Sequence, residues 1–256
     1  MSSYGTWLSA AGMKINELRQ SVNANNLANA QTTGFKHDFA VVAQRVVESR
    51  EDVGGMRFAH PVLDGLSGGV NVLPVHHTFE QGTIEHTGRP LDVAVQGEGF
   101  FAVQSGETTR YTRDGEFTLN AAGELVLEAG EGKWKVLSDA GTPIVAAEGD
   151  GAMSIAASGN VVQDGEVIGR LGLVTAANQQ LLRKTGENLF DATATEMTPI
   201  DAGLVTESRE ESTYDVMEGL TAMIEATRAY QLNATMIQLQ DELTSVAATS
   251  LGRLTA

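Results

Sequence analysis

Apolar residues recur at steps of three and four positions through residues 1–29, and this spacing predicts a helix. The repeat lasts about four heptads, which is typical of a helix that packs along a second helix. Gly5 and Gly12 lie within it, and each costs about 1 kcal/mol relative to alanine in a helix interior. We therefore expect a helix that is marginal when alone. Its apolar seam consists of Met1, Tyr4, Leu8, Ala11, Ile15, Leu18 and Val22.

The far end of this seam is polar. Asn25 and Asn29 occupy seam positions, and Asn26 lies beside them. Asparagine is a poor residue for a helix interior but can fix the register of a helix pair, so we assign a register role to these three residues. Gly34 follows two threonines and is predicted to form the turn by which the chain leaves the helix.

From Val70 the apolar repeat changes to alternate residues. Short runs of β-branched and aromatic residues, separated by turns at spacings of roughly 8–12 residues, predict an antiparallel β domain. Residues 188–207 then have the composition of a connector. The predicted strands cover residues 70–75, 91–95, 100–103, 110–113, 117–119, 124–127, 134–137, 154–155, 160–162 and 167–174.

A second long helix is predicted over residues 214–254, which contain no proline. Its apolar residues cover more than one stripe, which exceeds what a helix needs to face one partner. We expect other subunits to cover the surplus. The residues assigned to packing in the assembly are Leu8, Ile15, Leu18, Val22, Leu220, Met223, Ile224 and Tyr230.

The predicted fold class is α+β. The N- and C-terminal helices pair in a coiled-coil-like manner, and an all-β antiparallel domain is inserted between them. We expect a terminal helical assembly domain formed by residues 1–36 with 208–256. Residues 37–75 with 186–207 are expected to form a connecting region, and residues 76–185 the β domain.

Composition narrows the classes of function. The 256 residues carry a net charge of −16, which repels phosphate backbones and anionic lipid, so nucleic-acid binding is not expected. Cysteine is absent, which excludes disulfides and thiolate chemistry. No apolar run is long enough for membrane insertion, and we expect no cleaved secretory signal.

Three patterns resemble catalytic or ligand sites, and each lacks the required context. Residues 65–69 match G-x-S-x-G but are not flanked by a strand and a helix. Residues 97–102 match G-x-G-x-x-A, but a strand follows in place of a helix, so we expect the glycines to turn a hairpin. His76 and His77 on one strand point to opposite faces, which disfavours a shared metal. We predict no catalytic residue, no metal and no cofactor.

Four segments in order resemble the flagellar rod and hook axial proteins. Residues 25–36, from Asn-Asn-Leu-Ala-Asn to Thr-Gly-Phe-Lys, resemble the N-terminal signature of that family. Residues 87–101 and 111–120 resemble its central strand motifs, and residues 224–233 are similar to its closing-helix motif. The chain length with a single β insertion resembles a basal-body rod subunit of the FlgF/FlgG type, not the longer hook protein.

The resemblance implies a non-enzymatic axial protein of the flagellar basal body. It implies helical polymerisation with copies of itself and with other rod and hook axial proteins. It also implies passage through the flagellar type III export apparatus without signal cleavage. Residues 212–215 and 219–220 depart from the usual family pattern, which bears on the choice between proximal and distal rod; the proximal rod is slightly favoured.

Other functions remain open on sequence alone. The chain could be a distal rod or hook-like axial protein of the same family. It could also be a secreted β-domain binding protein whose helices form a stalk, which requires a ligand cleft within residues 70–185. A third interpretation is a closed coiled-coil adaptor, which would be a stable monomer with ordered ends.

Overall fold

The computed structural model describes residues 2–44, 69–130, 132–147 and 151–254. The chain divides into two compact units, each made of separate stretches of sequence. One unit contains Met1–Ala28, Asp38–His76 and Val216–Ala256 and is called the helical unit here. The other contains Asn29–His37 and His77–Asp215 and is called the β unit.

The helical unit holds the two long helices that the apolar repeats predict. Helix α1 spans Ser2–Ala28 and helix α2 spans Val216–Leu254. Strands β1 (Asp38–Phe39), β2 (Val42–Gln44) and β3 (Val70–Val72) also belong to this unit. β2 and β3 are antiparallel, with Val42 opposite Val72. The predicted pairing of N- and C-terminal helices around an antiparallel β insertion is confirmed.

The β unit is built from short strands. In chain order, after β4 (His76–His77) at the unit boundary, they are β5 (Ile84–His86), β6 (Val93–Gln96), β7 (Phe100–Ser105), β8 (Thr108–Thr112), β9 (Phe117–Leu119), β10 (Leu125–Leu127), β11 (Lys135–Val136), β12 (Met153–Ile155), β13 (Asn160–Gln163), β14 (Glu166–Arg170), β15 (Leu173–Ala176), β16 (Arg183–Lys184), β17 (Leu189–Asp191), β18 (Met197–Pro199), β19 (Gly203–Thr206) and β20 (Ser208–Glu210).

The largest sheet of the β unit has the strand order β16-β17-β8-β7-β11-β10-β9, and β15 with β18 branches from β7. Strands β12, β13 and β14 form a separate antiparallel sheet. β6 pairs with β19 and β5 with β20, so the start of the unit is joined to its end. Residues 186–207, for which the sequence predicts a connecting role, thus contain three strands.

The core of the β unit follows the strand pattern. Leu125, Val126 and Leu127 of β10 are all fully buried, as expected for a strand covered on both faces. The rings of Phe101 and Phe117 meet edge to face with centroids 5.2 Å apart.

The hairpin that the sequence predicts at Gly97 and Gly99 is absent. Gly97 and Gly99 both have positive φ, as predicted for a turn, but they do not close a hairpin. β6 before them pairs with β19, whereas β7 after them pairs with β8, β11 and β15. Two-residue hairpins occur elsewhere: Gly106 lies between β7 and β8, and Asp164-Gly165 lies between β13 and β14.

Candidate assembly surface

The two helices of the helical unit approach closely through small residues of α1. A Cβ atom on Gly5 would lie 2.7 Å from Nε2 of Gln240, and one on Gly12 would lie 2.8 Å from Oδ1 of Asn233. The two glycines are seven residues apart, and so are the two α2 residues that they face, but the order along the chain is reversed. This is the register of an antiparallel helix pair. The glycines that weaken α1 on its own thus let the second helix come near.

The side of α1 that is buried is polar. Ser9, Asn16 and Asn26 are buried, and together with Gly5 and Gly12 they form what we call the inner line. The predicted packing residues of α1 lie about a quarter of a turn away around the helix, at 100° per residue. These four residues, called the α1 seam, are each only half-buried: Leu8, Ile15, Leu18 and Val22.

α2 divides its apolar residues between two sides. Gly219 and Ala226 are buried, and the predicted packing residues Met223 and Tyr230 are half-buried at the same three-and-four spacing. Leu220 and Ile224, predicted for the same role, are instead 42% and 55% exposed. They belong to an exposed series, called the outer stripe, that consists of Met217, Leu220, Ile224, Leu232, Met236, Leu239, Leu243 and Val246.

The three asparagines assigned to register behave differently from one another. Asn26 is fully buried, donates to the backbone oxygen of Asp38 at 2.7 Å and accepts from its amide at 2.9 Å. Its side chain therefore pairs with Asp38 as a neighbouring strand would. Asn25 is exposed. Asn29 accepts from the Thr32 hydroxyl at 3.2 Å, within the turn that follows the helix.

Gly34 forms a turn that no other residue fits without strain. Its φ is +66°, and a Cβ there would lie 2.6 Å from the carbonyl carbon of Arg113. Its amide donates to the backbone oxygen of Glu210 at 2.6 Å. The predicted turn position is thus also a point of close backbone approach within the β unit.

A buried ion cluster lies next to this turn, and the sequence analysis did not identify it. Lys36 Nζ lies 2.6 Å from Glu210 Oε1, and neither side chain is exposed. Arg113 Nη1 lies 3.6 Å from the other carboxylate oxygen and is also buried. Desolvation lowers the pKa of Lys36 and of Arg113, against the opposing charge of Glu210. The Gly82 amide also donates to Oε1 at 2.8 Å, whereas Oε2 accepts no hydrogen bond from the described residues.

Residues 33–37 are held along their whole length by the β unit. The Thr33 oxygen accepts from Asn188 at 2.6 Å, and the Lys184 ammonium lies 4.0 Å from the centroid of the Phe35 ring. The Phe35 oxygen accepts from the Thr213 amide at 3.0 Å. The segment after α1 is therefore packed against the segment that precedes α2.

Asp114 is a second buried ionisable group near this cluster. Burial raises the pKa of its carboxyl from 3.8 to about 7, and its Oδ1 accepts from the Glu116 amide at 3.0 Å. The neighbouring carboxylates of Glu116, Glu128 and Asp92 raise this pKa further. Asp114 thus titrates near neutral pH inside the β unit.

The patterns that resembled ligand sites have structural surroundings. The His76 ring stacks on Phe39 with centroids 6.0 Å apart, whereas the His77 ring meets Phe190 at 6.5 Å. The two histidines thus have separate partners. Among the residues that the structure describes, no group of His, Asp and Glu is arranged to hold a metal ion. The G-x-S-x-G pattern lies almost wholly outside the described residues.

None of the described helices combines the length and the apolar character that crossing a bilayer requires.

Three family models match the chain in order. The model described as "Flagella basal body rod protein" matches residues 9–36, which comprise most of α1 and the Gly34 turn. "Flagellar hook protein FlgE/F/G D1 domain" matches residues 94–167, within the β unit. "Flagellar basal body rod FlgEFG protein C-terminal" matches residues 210–250, from Glu210 through most of α2.

Curated relatives match over nearly the whole chain. A flagellar basal-body rod protein FlgF of Caulobacter vibrioides is 35% identical over 90% of this chain and 91% of its own. FlgG of Buchnera aphidicola subsp. Schizaphis graminum is 32% identical over 93% and 95%. FlgG of Bacillus subtilis is 32% identical over 91% and 93%. With its paired terminal helices and β insertion, the chain belongs to the flagellar basal-body rod protein family, whose members are structural subunits and not enzymes.

Proposed function

We propose that this rod subunit polymerises helically with copies of itself through α1 and α2. One observation carries the proposal: α1 meets α2 through small and polar residues, whereas a large share of the apolar surface of α2 lies outside the contact. Gly5, Gly12 and Asn16 are on the inner line, while Leu232 and Leu243 are 68% and 70% exposed. A helix pair of this kind suits surroundings made of other helices better than it suits water.

The magnitudes favour an array over an isolated dimer. Leu232, Met236, Leu239, Leu243 and Val246 are each 48–70% exposed, which amounts to about three whole side chains. At about 2 kcal/mol for each apolar side chain buried, covering them yields about 6 kcal/mol. Association itself costs about 4–15 kcal/mol. The gain from this side of one contact therefore lies within the range of that cost, so contacts with several neighbours at once would hold a subunit more firmly.

Membership of the family supports a proposal for the other partners. We infer that the subunit contacts other rod and hook axial proteins and reaches the periplasm-spanning rod through the flagellar type III export apparatus, without a cleaved signal. Its net charge of −16 argues against nucleic acid and anionic membrane surfaces as partners.

Within the rod, we infer the proximal position, from the family resemblance around Glu80, Gln81 and Gly82 and before Gly169. Loss of a proximal subunit should leave the more distal axial proteins out of isolated basal bodies. If those proteins still assemble without this chain, the proximal assignment is wrong.

The polymerisation proposal is tested by a charge on the outer stripe. Leu232→Glu adds a carboxylate to an exposed stripe position, and Gln231→Glu adds the same charge to the adjacent exposed position outside the stripe. Glutamate is a good helix former, so both purified chains should remain as helical as the parent by circular dichroism. We expect Leu232→Glu to be missing from isolated basal bodies and Gln231→Glu to be present. Equal incorporation of both variants would refute the proposal.

A further inference from the structure

We propose that the outer stripe of one copy is covered by the α1 seam of a second copy, in a head-to-tail contact that repeats along the assembly. This inference rests on the proposed polymerisation and names the surface that meets each outer stripe. The pairing of α1 with α2 within one chain leaves two apolar surfaces of the helical unit incompletely covered.

Both surfaces have the spacing that helix packing requires. The α1 seam residues Leu8, Ile15 and Val22 are seven apart, and all are half-buried. The outer-stripe residues Leu232, Leu239 and Val246 are also seven apart and are 68%, 48% and 60% exposed. Residues at a heptad repeat pack against a partner helix along a continuous line. The two lines therefore match in period and in apolar character.

Charge favours a mixed contact over a contact between two outer stripes. On α1, exposed Lys14 and Arg19 outnumber exposed Glu17. On α2, over residues 216–249, four carboxylates and one arginine are exposed, so this helix is acidic on balance. Two α2 helices placed side by side would bring carboxylates together, whereas α2 beside α1 brings opposite net charges together.

Symmetry favours the same choice. A contact between two identical outer stripes is isologous, uses both surfaces at once and closes as a dimer. A contact between an α1 seam and an outer stripe is heterologous. Each added copy then leaves one seam and one stripe free for the next copy, which is the requirement for an open helical array.

Because none of the 256 residues is a cysteine, an introduced cysteine is the single thiol of its chain in a cross-linking test. Single-cysteine chains are made at seam positions (Leu8→Cys, Ile15→Cys, Val22→Cys) and at stripe positions (Leu232→Cys, Leu239→Cys, Val246→Cys). One seam chain and one stripe chain, distinguished by a size tag, are co-expressed in cells that lack the parent chain. Isolated basal bodies are oxidised and resolved on a non-reducing gel. Chains with one cysteine each cannot form an internal disulfide, so every disulfide between them joins two copies.

We expect a mixed dimer in at least one of the nine seam–stripe combinations, and its loss when the seam cysteine is moved to exposed Glu17, outside the seam. Bridges only between two stripe chains would overturn the proposal. So would the absence of every bridge from basal bodies that contain both chains. If the parent chain itself is not found in multiple copies in basal bodies, the proposed polymerisation is refuted. The polymerisation proposal and the seam–stripe proposal can therefore fail separately.

Discussion

Lys36 Nζ and Glu210 Oε1 are 2.6 Å apart although the residues are 174 positions apart in sequence. The pair joins the segment that follows α1 to the strand that precedes α2, in the interior of the β unit. Breaking a buried pair is costly because the remaining charge has no water to solvate it.

Removing the ammonium should destabilise the β unit strongly. We expect Lys36→Met to lower the free energy of unfolding by about 3 kcal/mol, since the Glu210 carboxylate stays buried with its main cation gone. Urea denaturation followed by Trp134 fluorescence in a Trp7→Phe background reports on this unit alone, because the chain has two tryptophans.

The matched control is Lys135→Met. Lys135 is also 2.6 Å from a carboxylate, that of Glu124, but its side chain is 40% exposed. That change should cost less than about 1 kcal/mol, and equal losses would contradict the argument.

Stability should depend on pH through Asp114. Its pKa is about 7 in the folded protein and 3.8 in the unfolded chain, so the native state binds more protons between these values. Its contribution therefore destabilises the fold increasingly as pH rises from about 4 to about 7, and is constant above that.

Replacing this carboxyl by a neutral amide should remove the dependence. Relative to the parent, Asp114→Asn should gain about 3 kcal/mol more at pH 8 than at pH 5, since each pKa unit is about 1.4 kcal/mol. The side-chain oxygen of the introduced asparagine can still accept from the Glu116 amide. Thermal unfolding at the two pH values measures the difference, with the exposed Asp139→Asn as control. A pH-independent difference for Asp114→Asn would show that this carboxyl is ionised in the fold.

Alanine at Gly34 should cost more than alanine at an unhindered turn. Gly34→Ala combines a positive φ with a Cβ 2.6 Å from the Arg113 backbone, and we expect a loss of at least about 2 kcal/mol. Gly88 has φ +73° but no atom near its Cβ position, so Gly88→Ala should lose only about 1 kcal/mol. Urea unfolding with the Trp134 probe compares the two. Similar losses would mean that the close backbone approach has no energetic consequence.

Asn26 should matter more than the asparagine beside it. Asn26→Ala leaves the amide and carbonyl of Asp38 without their side-chain partner and should destabilise the helical unit by about 2 kcal/mol. Asn25→Ala, at an exposed position, should change stability by less than about 0.5 kcal/mol. Trp7 fluorescence in a Trp134→Phe background follows the helical unit. A larger loss of stability for Asn25→Ala than for Asn26→Ala would show that the hydrogen bonds of Asn26 to Asp38 do not stabilise the helical unit.

The sequence predicted the elements whose signal is local. Both helices were evident from their three-and-four repeats. Strand β9 was evident from alternating apolar residues and β10 from consecutive ones, in each case between turns. Strands β16 to β20 were not predicted. Arg183–Lys184 and Ser208–Glu210, for example, contain no apolar residue, so each is defined by its partner strand more than by its own residues.

The parts of the site that depend on distant residues could not be predicted. Lys36 lies in the recognised N-terminal signature, but nothing local indicates that it is buried, because its partner Glu210 is near the other end of the chain. The three-and-four repeat predicted helix α1, yet the buried side of the helix is the neighbouring polar line that contains Ser9 and Asn16. Side-chain size at the contact, set by Gly5 and Gly12 against Gln240 and Asn233, decided which side meets α2.

The hairpin turns at Gly106 and Gly165 have a practical value for following this protein in cells. No atom lies within 4 Å of the position that a Cβ would take at either glycine. A short epitope or a small fluorogenic peptide placed there extends a turn of the β unit without entering its interior, and tolerance of insertion concentrates at such exposed loop tips. Labels at these two turns would make the protein visible by light microscopy while leaving both chain ends intact.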